Sequence, residues 1–427
     1  MDPRQWLVHL EQFGIKLGLA SISAIVEELG RPDRRYHTVH VGGTNGKGSV
    51  SAVVAQALSA AGYRTGLYTS PHLIHLEERF RIDGRPVDAP GLDRALFEVR
   101  EAIERLQARG LLDAQPTYFE ATTAAALLLF ADRRVDVAVV EVGLGGRFDA
   151  TNVVSPLATA ITSIDFDHEA QLGSTLAAIA GEKAGIIKPG VPVVVGALPA
   201  EARSVVEQVA RGQSVRLIDS AAVLPLGPGE DGHEVVRVAL ALGTLGPLRL
   251  SLAGAHQMAN AGVAARLLEV LGEAGLHLDA AHIASALTTT RWPARLETVV
   301  TPRGRAIVDG AHNPAAARAL ASYLQRRHPM GLPVVFGAMR DKALAEMVAA
   351  LVPVARPLVC TRAPGARGAT ADELAAIARG SDGSTVTICD ELDAALASAW
   401  EHGGEIAVAG SLYLAGAVLD LLDVPVD

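Results

Sequence analysis

Short apolar runs alternate with longer amphipathic stretches along most of the chain. The runs at 38–41, 135–142, 158–164, 191–195, 305–308, 333–336, 358–361 and 405–408 are too short for helices and read as buried strands. The stretches at 48–61, 120–131, 174–184, 260–273, 314–327, 371–378 and 392–400 carry apolar residues at helical spacing. Strands alternating with helices predict an α/β fold whose parallel sheets are covered on both faces. The pattern changes at 225–252, where turn residues separate short alternating runs, the signature of β-hairpins. A new α/β series begins after "TTTRWPARLE" at 288–297, which divides the chain into expected domains 1–296 and 297–427.

One junction in this pattern carries chemistry. An apolar run ending at Val41 leads into "GGTNGKGS" at 42–49, and a helical stripe of Val50, Val53, Val54, Ala57, Leu58 and Ala61 follows. Strand, glycine loop and helix form an anion cradle, because backbone N–H groups at a helix start point at the ligand. The usual phosphate loop reads G-x-x-x-x-G-K-[ST]. Here Val41 stands at the first glycine, Gly48 stands where the hydroxyl belongs, and Ser49 comes one residue late. A plain strand-to-helix turn would not need the Lys-Gly-Ser that follows Gly46, so a variant phosphate loop is the better reading, with Lys47 reaching a β- or γ-phosphate.

Two further strand ends are polar. Glu141 closes an apolar run and is followed at once by glycines, the position from which an acid would hold magnesium. Pairing with Arg147 is the plainer alternative for it. The run at 158–164 ends in Asp165, Asp167 and His168. A lone histidine is more often structural than ligating, and magnesium prefers oxygen.

Bulk properties narrow the partners. The 427 residues are 49% hydrophobic and carry a net charge of −9, which argues against nucleic acid or an anionic membrane. Two cysteines without C-x-x-C spacing make neither a disulfide framework nor a zinc site. The N-terminus lacks the basic-then-apolar order of a signal peptide, and no apolar run is long enough to span a bilayer, so a cytoplasmic protein is expected.

Taken in order, the motifs resemble the folate branch of the Mur ligase family, the dihydrofolate synthase/folylpolyglutamate synthases. They are "GIKLGL" (14–19), "GGTNGKGS" (42–49), "TSPHL" (69–73), "ERFRIDG" (78–84) and "TYFEATT" (117–123). After these come "EVGLGGRFDATN" (141–152), "SIDFDHEAQLG" (163–173), "EKAGIIKPG" (182–190), "HQMANA" (256–261), "DGAHNP" (309–314) and "AGSLY" (409–413). The displaced hydroxyl of the phosphate loop is this family's own variant. Gly42 departs from the more usual alanine, and "RWPARLE" (291–297) departs from P-G-R-x-E while keeping Arg295.

The resemblance implies a P-loop-type, mostly parallel N-terminal ATPase domain with a small β-hairpin region, and a smaller Rossmann-like C-terminal domain. It implies that Thr44, Asn45, Gly46, Lys47, Gly48 and Ser49 hold ATP phosphates, and that Asn260, Arg295, Asp309 and His312 contact ATP. Ser70, Glu141 and His168 match magnesium ligands. Lys16, Thr117, Arg147 and Asp149 match the region that holds the pteroate. Lys183 matches a lysine that related ligases carbamylate, which would make it an anionic ligand for a second magnesium. The implied reaction joins L-glutamate to 7,8-dihydropteroate and to reduced folates through an acyl phosphate, with Lys47, His168 and Lys183 as the catalytic set. Monofunctional folylpolyglutamate synthesis and another Mur-type amino-acid ligase are the alternatives, and a non-ligating nucleotide switch or a non-catalytic binding protein stands outside the family. Gly48-Ser49, in place of a threonine-containing pair, disfavours a cell-wall ligase. A monomer is expected.

Overall fold

The computed structural model describes residues 2–14, 16, 18–112, 114–229, 232–241, 243–380 and 385–426. Ile15 and Leu17 of the 14–19 motif lie outside the described residues.

The first sheet has eight strands. They are β1 (His37–Gly42), β2 (Thr65–Tyr68), β3 (Phe80–Ile82), β4 (Arg85–Pro86), β5 (Val137–Glu141), β6 (Ala158–Ile161), β7 (Val193–Val195) and β8 (Leu217–Asp219). Their order across the sheet is β4-β3-β2-β5-β1-β6-β7-β8. All neighbours are parallel except the β2–β3 and β3–β4 pairs at one edge. Burial on both faces explains the continuous Val and Ala runs. One face packs Val50, Val54 and Leu58 of the helix Lys47–Ala60 against Leu267 and Leu271 of the helix Ala255–Glu273. The other face packs against the helices Ala89–Ala108 and Tyr118–Asp132.

Strands β9 (Val223–Pro228), β10 (Glu234–Leu240) and β11 (Gly243–Arg249) form an antiparallel sheet of three strands in order β11-β10-β9, the expected hairpin region. The last sheet comprises β12 (Glu297–Thr301), β13 (Gly304–Val308), β14 (Leu332–Phe336), β15 (Ala355–Cys360), β16 (Val386–Ile388) and β17 (Glu405–Ala409), ordered β12-β13-β17-β14-β15-β16. Only β12 runs antiparallel to its neighbour in this sheet. The fold is therefore α/β, with the two large, mostly parallel sheets and the small hairpin sheet expected from the sequence. No helix among the described residues is long and apolar enough to cross a membrane.

The apolar runs at 135–142 and 158–164 end earlier as strands than as hydrophobic patterns. β5 stops at Glu141 and β6 at Ile161, while Val142 and Ile164 beyond them remain buried in a hydrophobic cluster without strand pairing. The two large sheets are joined by more than the chain connection. Leu73 and Ile74, in the loop after β2, pack into the second sheet's hydrophobic cluster with Leu414 and Val418. Arg81 also donates from Nη2 to the Val426 carbonyl at 2.7 Å.

Candidate functional site

β1 lies between β5 and β6, so the loops leaving the carboxyl ends of these three central strands converge. Open α/β sheets bind ligands at such edges. The second sheet presents the segment after β13 to the same place, and a cleft of about 480 Å³ lies between them.

The phosphate-loop reading acquires a steric explanation here. Gly46, at φ +85°, caps the helix Lys47–Ala60 in a conformation that glycine adopts without strain. A Cβ on Gly48 would lie 2.8 Å from Trp292 Nε1, so the space that a hydroxyl-bearing residue would need is filled by the indole. Ser49, one residue on, is buried and accepts a hydrogen bond from Gln257 Nε2 at 3.3 Å. Asn260 is tied to the same Gln257, whose Oε1 accepts from Asn260 Nδ2 at 2.8 Å. Thr44 and Asn45 are braced from the segment that follows β6: Thr44 Oγ1 donates to the Asp165 carbonyl at 3.1 Å, and Asn45 N–H donates to Ser163 Oγ at 2.9 Å. Lys47 Nζ donates to the Thr44 carbonyl at 3.0 Å, which folds the ammonium back over the loop.

Glu141 faces this loop from the end of β5 and is only 5% exposed. Among the described residues its hydrogen bond comes from the Ser70 N–H, at 3.3 Å. Burial pushes its carboxyl up to about 6, against the opposing pull of Lys47. Lys183, on the helix Leu176–Ala184, is 4% exposed and donates to the Gly43 carbonyl at 3.0 Å. Burial, with Lys47 nearby, brings its ammonium down to about 7. A buried carboxylate that makes no ion pair within 4 Å among the described residues, and a lysine that is easily neutral, thus share one cleft.

His168 follows β6 with φ 52°, and its imidazole is lowered from the usual value mainly by burial, with Asp167 opposing. From the second sheet come Arg295, Asp309 and His312. Asp309 accepts N–H bonds from Leu296 and Ala311, each at 2.9 Å. Burial raises its carboxyl and the Arg295 guanidinium opposes that rise. His312 donates from Nδ1 to the Gly310 carbonyl at 2.9 Å, and burial holds its ring down to about 4, so it is neutral at pH 7 with Nε2 as acceptor.

The cleft thus brings together Lys47 with its loop, Ser70, Glu141, His168 and Lys183 from the first sheet. It adds Asn260 from the helix Ala255–Glu273, and Arg295, Asp309 and His312 from the hinge and second sheet. Lys16, Thr117, Arg147 and Asp149 lie outside its lining. Thr117 is engaged in a capping box with Glu120. Asp149 is buried and accepts from the Leu144 N–H at 2.7 Å and the Thr151 N–H at 3.0 Å. Arg147 is half-exposed, with Nε 3.7 Å from Glu182. Lys16 is exposed and donates to the Gln115 carbonyl at 2.8 Å.

Residues that the sequence reading did not assign also meet here. Asn313 Nδ2 donates to Asn45 Oδ1 at 2.9 Å and to Asp167 Oδ2 at 3.1 Å, and Lys342 Nζ reaches Asp167 Oδ1 at 2.7 Å. Asn313 lies within a quoted motif, so its place was visible though its role was not. Lys342 lies in none.

A phosphate loop at a parallel-sheet edge, closed over by a second α/β sheet carrying further polar groups, defines a two-domain nucleotide-dependent ligase architecture. Residues 41–268 match the Mur ligase middle domain and residues 294–412 the Mur ligase glutamate ligase domain. The chain belongs to the Mur ligase family, in its dihydrofolate synthase/folylpolyglutamate synthase group. It is 36% identical over 362 residues to the dihydrofolate synthase/folylpolyglutamate synthase of Bacillus subtilis, covering 84% of each chain. Among solved structures it resembles Escherichia coli FolC in complex with DHPP and ADP, with a TM-score of 0.86, 30% identity, and 99% and 98% of the two chains covered. It likewise resembles a bifunctional folylpolyglutamate synthase/dihydrofolate synthase with Mn, AMPPNP and L-glutamate bound, with a TM-score of 0.84, 30% identity, and 99% and 98% coverage.

Proposed function

We propose that the protein is an ATP-dependent ligase that adds L-glutamate both to 7,8-dihydropteroate and to reduced folates. The observation that carries this reading is the meeting, in one cleft, of the Lys47 phosphate loop with Glu141, Lys183 and the Asp309–His312 segment of the second sheet. A binding protein or a simple nucleotide switch would not need the second group. The ligands named for similar structures, DHPP, ADP and L-glutamate, support the substrate classes.

A carboxylate does not react with an amine at neutral pH, so it is first activated. A carboxylate oxygen of the pteroate, or of a folate's terminal glutamate, attacks the γ-phosphorus of ATP, and the bond to the ADP oxygen breaks. The amine of L-glutamate then attacks the acyl carbon, phosphate departs with the bonding electron pair, and the amine proton is lost as the amide forms. The first step brings anions together, so its catalysis is placement and charge neutralisation. Lys47 and the N–H groups of residues 44–49 hold the phosphates. Asn260 orients the nucleotide from beside the loop, and Arg295, Asp309 and His312 do so from the other wall. Lys16, Thr117, Arg147 and Asp149 belong to the pteroate side. Their bonds make Thr117 and Asp149 braces of that region.

The donor set fits a hard divalent cation. Glu141 is a buried carboxylate whose charge burial disfavours, and Ser70 and His168 lie in the same lining. Among the described residues no three His, Cys, Asp or Glu side chains cluster as a complete cage, so water and phosphate oxygens would complete the shell, as suits magnesium. A bound magnesium would supply charge neutralisation at the phosphates. Lys183, brought down to about 7, has the neutral amine that carbon dioxide needs, and its carbamate would offer two further oxygens to a second magnesium. Domains 1–296 and 297–427 would close on ATP and shield the acyl phosphate from water.

The test is ADP release from purified protein given dihydropteroate or a reduced folate, with and without L-glutamate, with products weighed by mass spectrometry. Glutamate-dependent turnover and a product one glutamyl unit heavier from each substrate are expected. Extension of reduced folates alone would leave only the polyglutamylating activity. ATP turnover indifferent to glutamate would overturn the ligase reading.

A further inference from the structure

Asp167 lines the cleft, and Lys342 reaches it from the second-sheet side. Asp167 follows β6, and Lys342 lies in the turn before the helix Leu344–Leu351. Lys342 Nζ is 2.7 Å from Asp167 Oδ1, and the two side chains are only 10% and 9% exposed. The same ammonium is 3.3 Å from His168 Nε2. Asp167 also accepts from the His168 N–H at 2.9 Å and from Asn313 Nδ2 at 3.1 Å. One carboxylate therefore ties the backbone of His168 to two residues of the opposite wall.

An ammonium carries protons and no lone pair, so it can only donate. His168 Nε2 therefore turns its lone pair toward Lys342. That lone pair is the one a metal ion would take from this ring. A buried ion pair repays little more than its own desolvation, and its best-attested value is to fix register. The Asp167–Lys342 pair is thus better suited to seating one wall against the other than to adding stability, and it seats a cation against His168 Nε2.

We propose that Lys342 is a placeholder cation. In the closed, metal-free protein it occupies the His168 lone pair. An entering divalent ion displaces it from His168 while Asp167 retains it, so that metal entry and the seating of the second wall are coupled. Lys342 is on this view a positioning residue that acts through Asp167 and His168. The inference rests on the reading of His168 as a metal ligand.

The test uses Mn²⁺ as probe on the full chain without nucleotide, titrated by calorimetry, with ¹⁵N spectra of the histidine rings recorded in parallel. Lys342→Met is expected to bind Mn²⁺ at least about threefold more tightly, since a charge-assisted hydrogen bond no longer competes for the ring. Its metal-free spectrum is expected to show the His168 Nε2 resonance moved from the hydrogen-bonded toward the free acceptor position, while turnover under full assay conditions falls. Unchanged or weaker Mn²⁺ binding would overturn the proposal, and so would tighter binding with no movement of that resonance, which would be a field effect alone. If Lys342→Met does not fold, Lys342→Gln carries the same two readouts. His168→Gln separates the premises: Mn²⁺ binding unaffected by that change removes His168 from the metal site, whatever Lys342 does.

Discussion

The carboxyl edges of the two large sheets face one another across the cleft, and their buried polar groups differ in how fully they are hydrogen-bonded. On the first edge, Glu141 has a single long hydrogen bond among the described residues and is pushed up to about 6, while Lys183 is brought down to about 7. On the second, Asp309 accepts two backbone N–H bonds and Asn313 caps the helix Pro314–Arg327 while bridging to Asn45 and Asp167. The first edge holds buried charges with few protein partners, the condition that suits the phosphate and metal site proposed above. The second holds groups already satisfied, as a wall that sets position would. Substitutions on the first edge should therefore cost turnover and spare stability, and those on the second should cost both, modestly.

The largest effect is expected at the loop. Lys47→Ala should lower turnover by about a hundredfold or more, the scale of removing one group that meets developing charge, with the circular dichroism spectrum unchanged. Near-normal turnover would remove the loop from phosphate binding. Next, Lys183→Ala should be inactive and partly restored by a short carboxylic acid filling the vacated space. Its stability should move the other way. A lysine whose folded-state pKa lies below its unfolded value makes stability rise with pH between about 7 and its ordinary range. Lys183→Met should therefore be more resistant to urea than the parent at pH 7 and lose that advantage toward pH 10. High-resolution density showing a bare amine at Lys183, in bicarbonate with magnesium bound, would defeat the carbamate.

Glu141→Gln should raise the magnesium needed for half-maximal turnover and lower the maximum. Its folded pKa is raised, so the protonated acid favours the fold below the ordinary value, and that contribution is lost as pH climbs through about 6. Removing the charge should stabilise the metal-free protein above that pH by up to about 2 kcal/mol, read from urea unfolding. An unchanged magnesium titration would take Glu141 out of the metal site. The smallest effect belongs to the second edge: Asn313→Ala loses a helix cap worth about 1 kcal/mol together with its bridge to Asn45. Its unfolding midpoint should fall and its turnover drop by less than that of Glu141→Gln. A drop as deep as that of Lys47→Ala would erase the contrast between the edges.

The fold was legible where burial is one-sided or total. β1, β5, β14 and the helix Pro314–Arg327 were readable because continuous apolar runs or clean stripes leave one solution. The helix Ala89–Ala108 also carries its signal, with Leu92, Leu96, Val99, Ile103 and Leu106 at helical spacing behind the cap Asp88, yet it bears no motif and was not singled out. The edge strands β3 and β4 are only 3 and 2 residues long, too short for a period to register. The cleft's first edge was legible because its chemistry sits in contiguous motifs. On the second edge Arg295, Asp309 and His312 were legible for the same reason, but the Lys342–Asp167 contact was not, because the two meet across 175 positions and nothing local at either one announces the other.

The indole of Trp292, stacked with the Arg81 guanidinium 5.6 Å from its ring, rests on the glycine of the phosphate loop. Of the chain's three tryptophans, Trp6 is buried in the first hydrophobic cluster and Trp400 packs beside the second sheet. Trp292 alone lines a pocket with Gly48, Ser70 and Glu141. The residue that excludes a hydroxyl from position 48 thus gives the protein a native optical gauge. Emission from Trp292 should register nucleotide arrival and wall movement in real time, without any label, and Trp6→Phe with Trp400→Phe would isolate its signal.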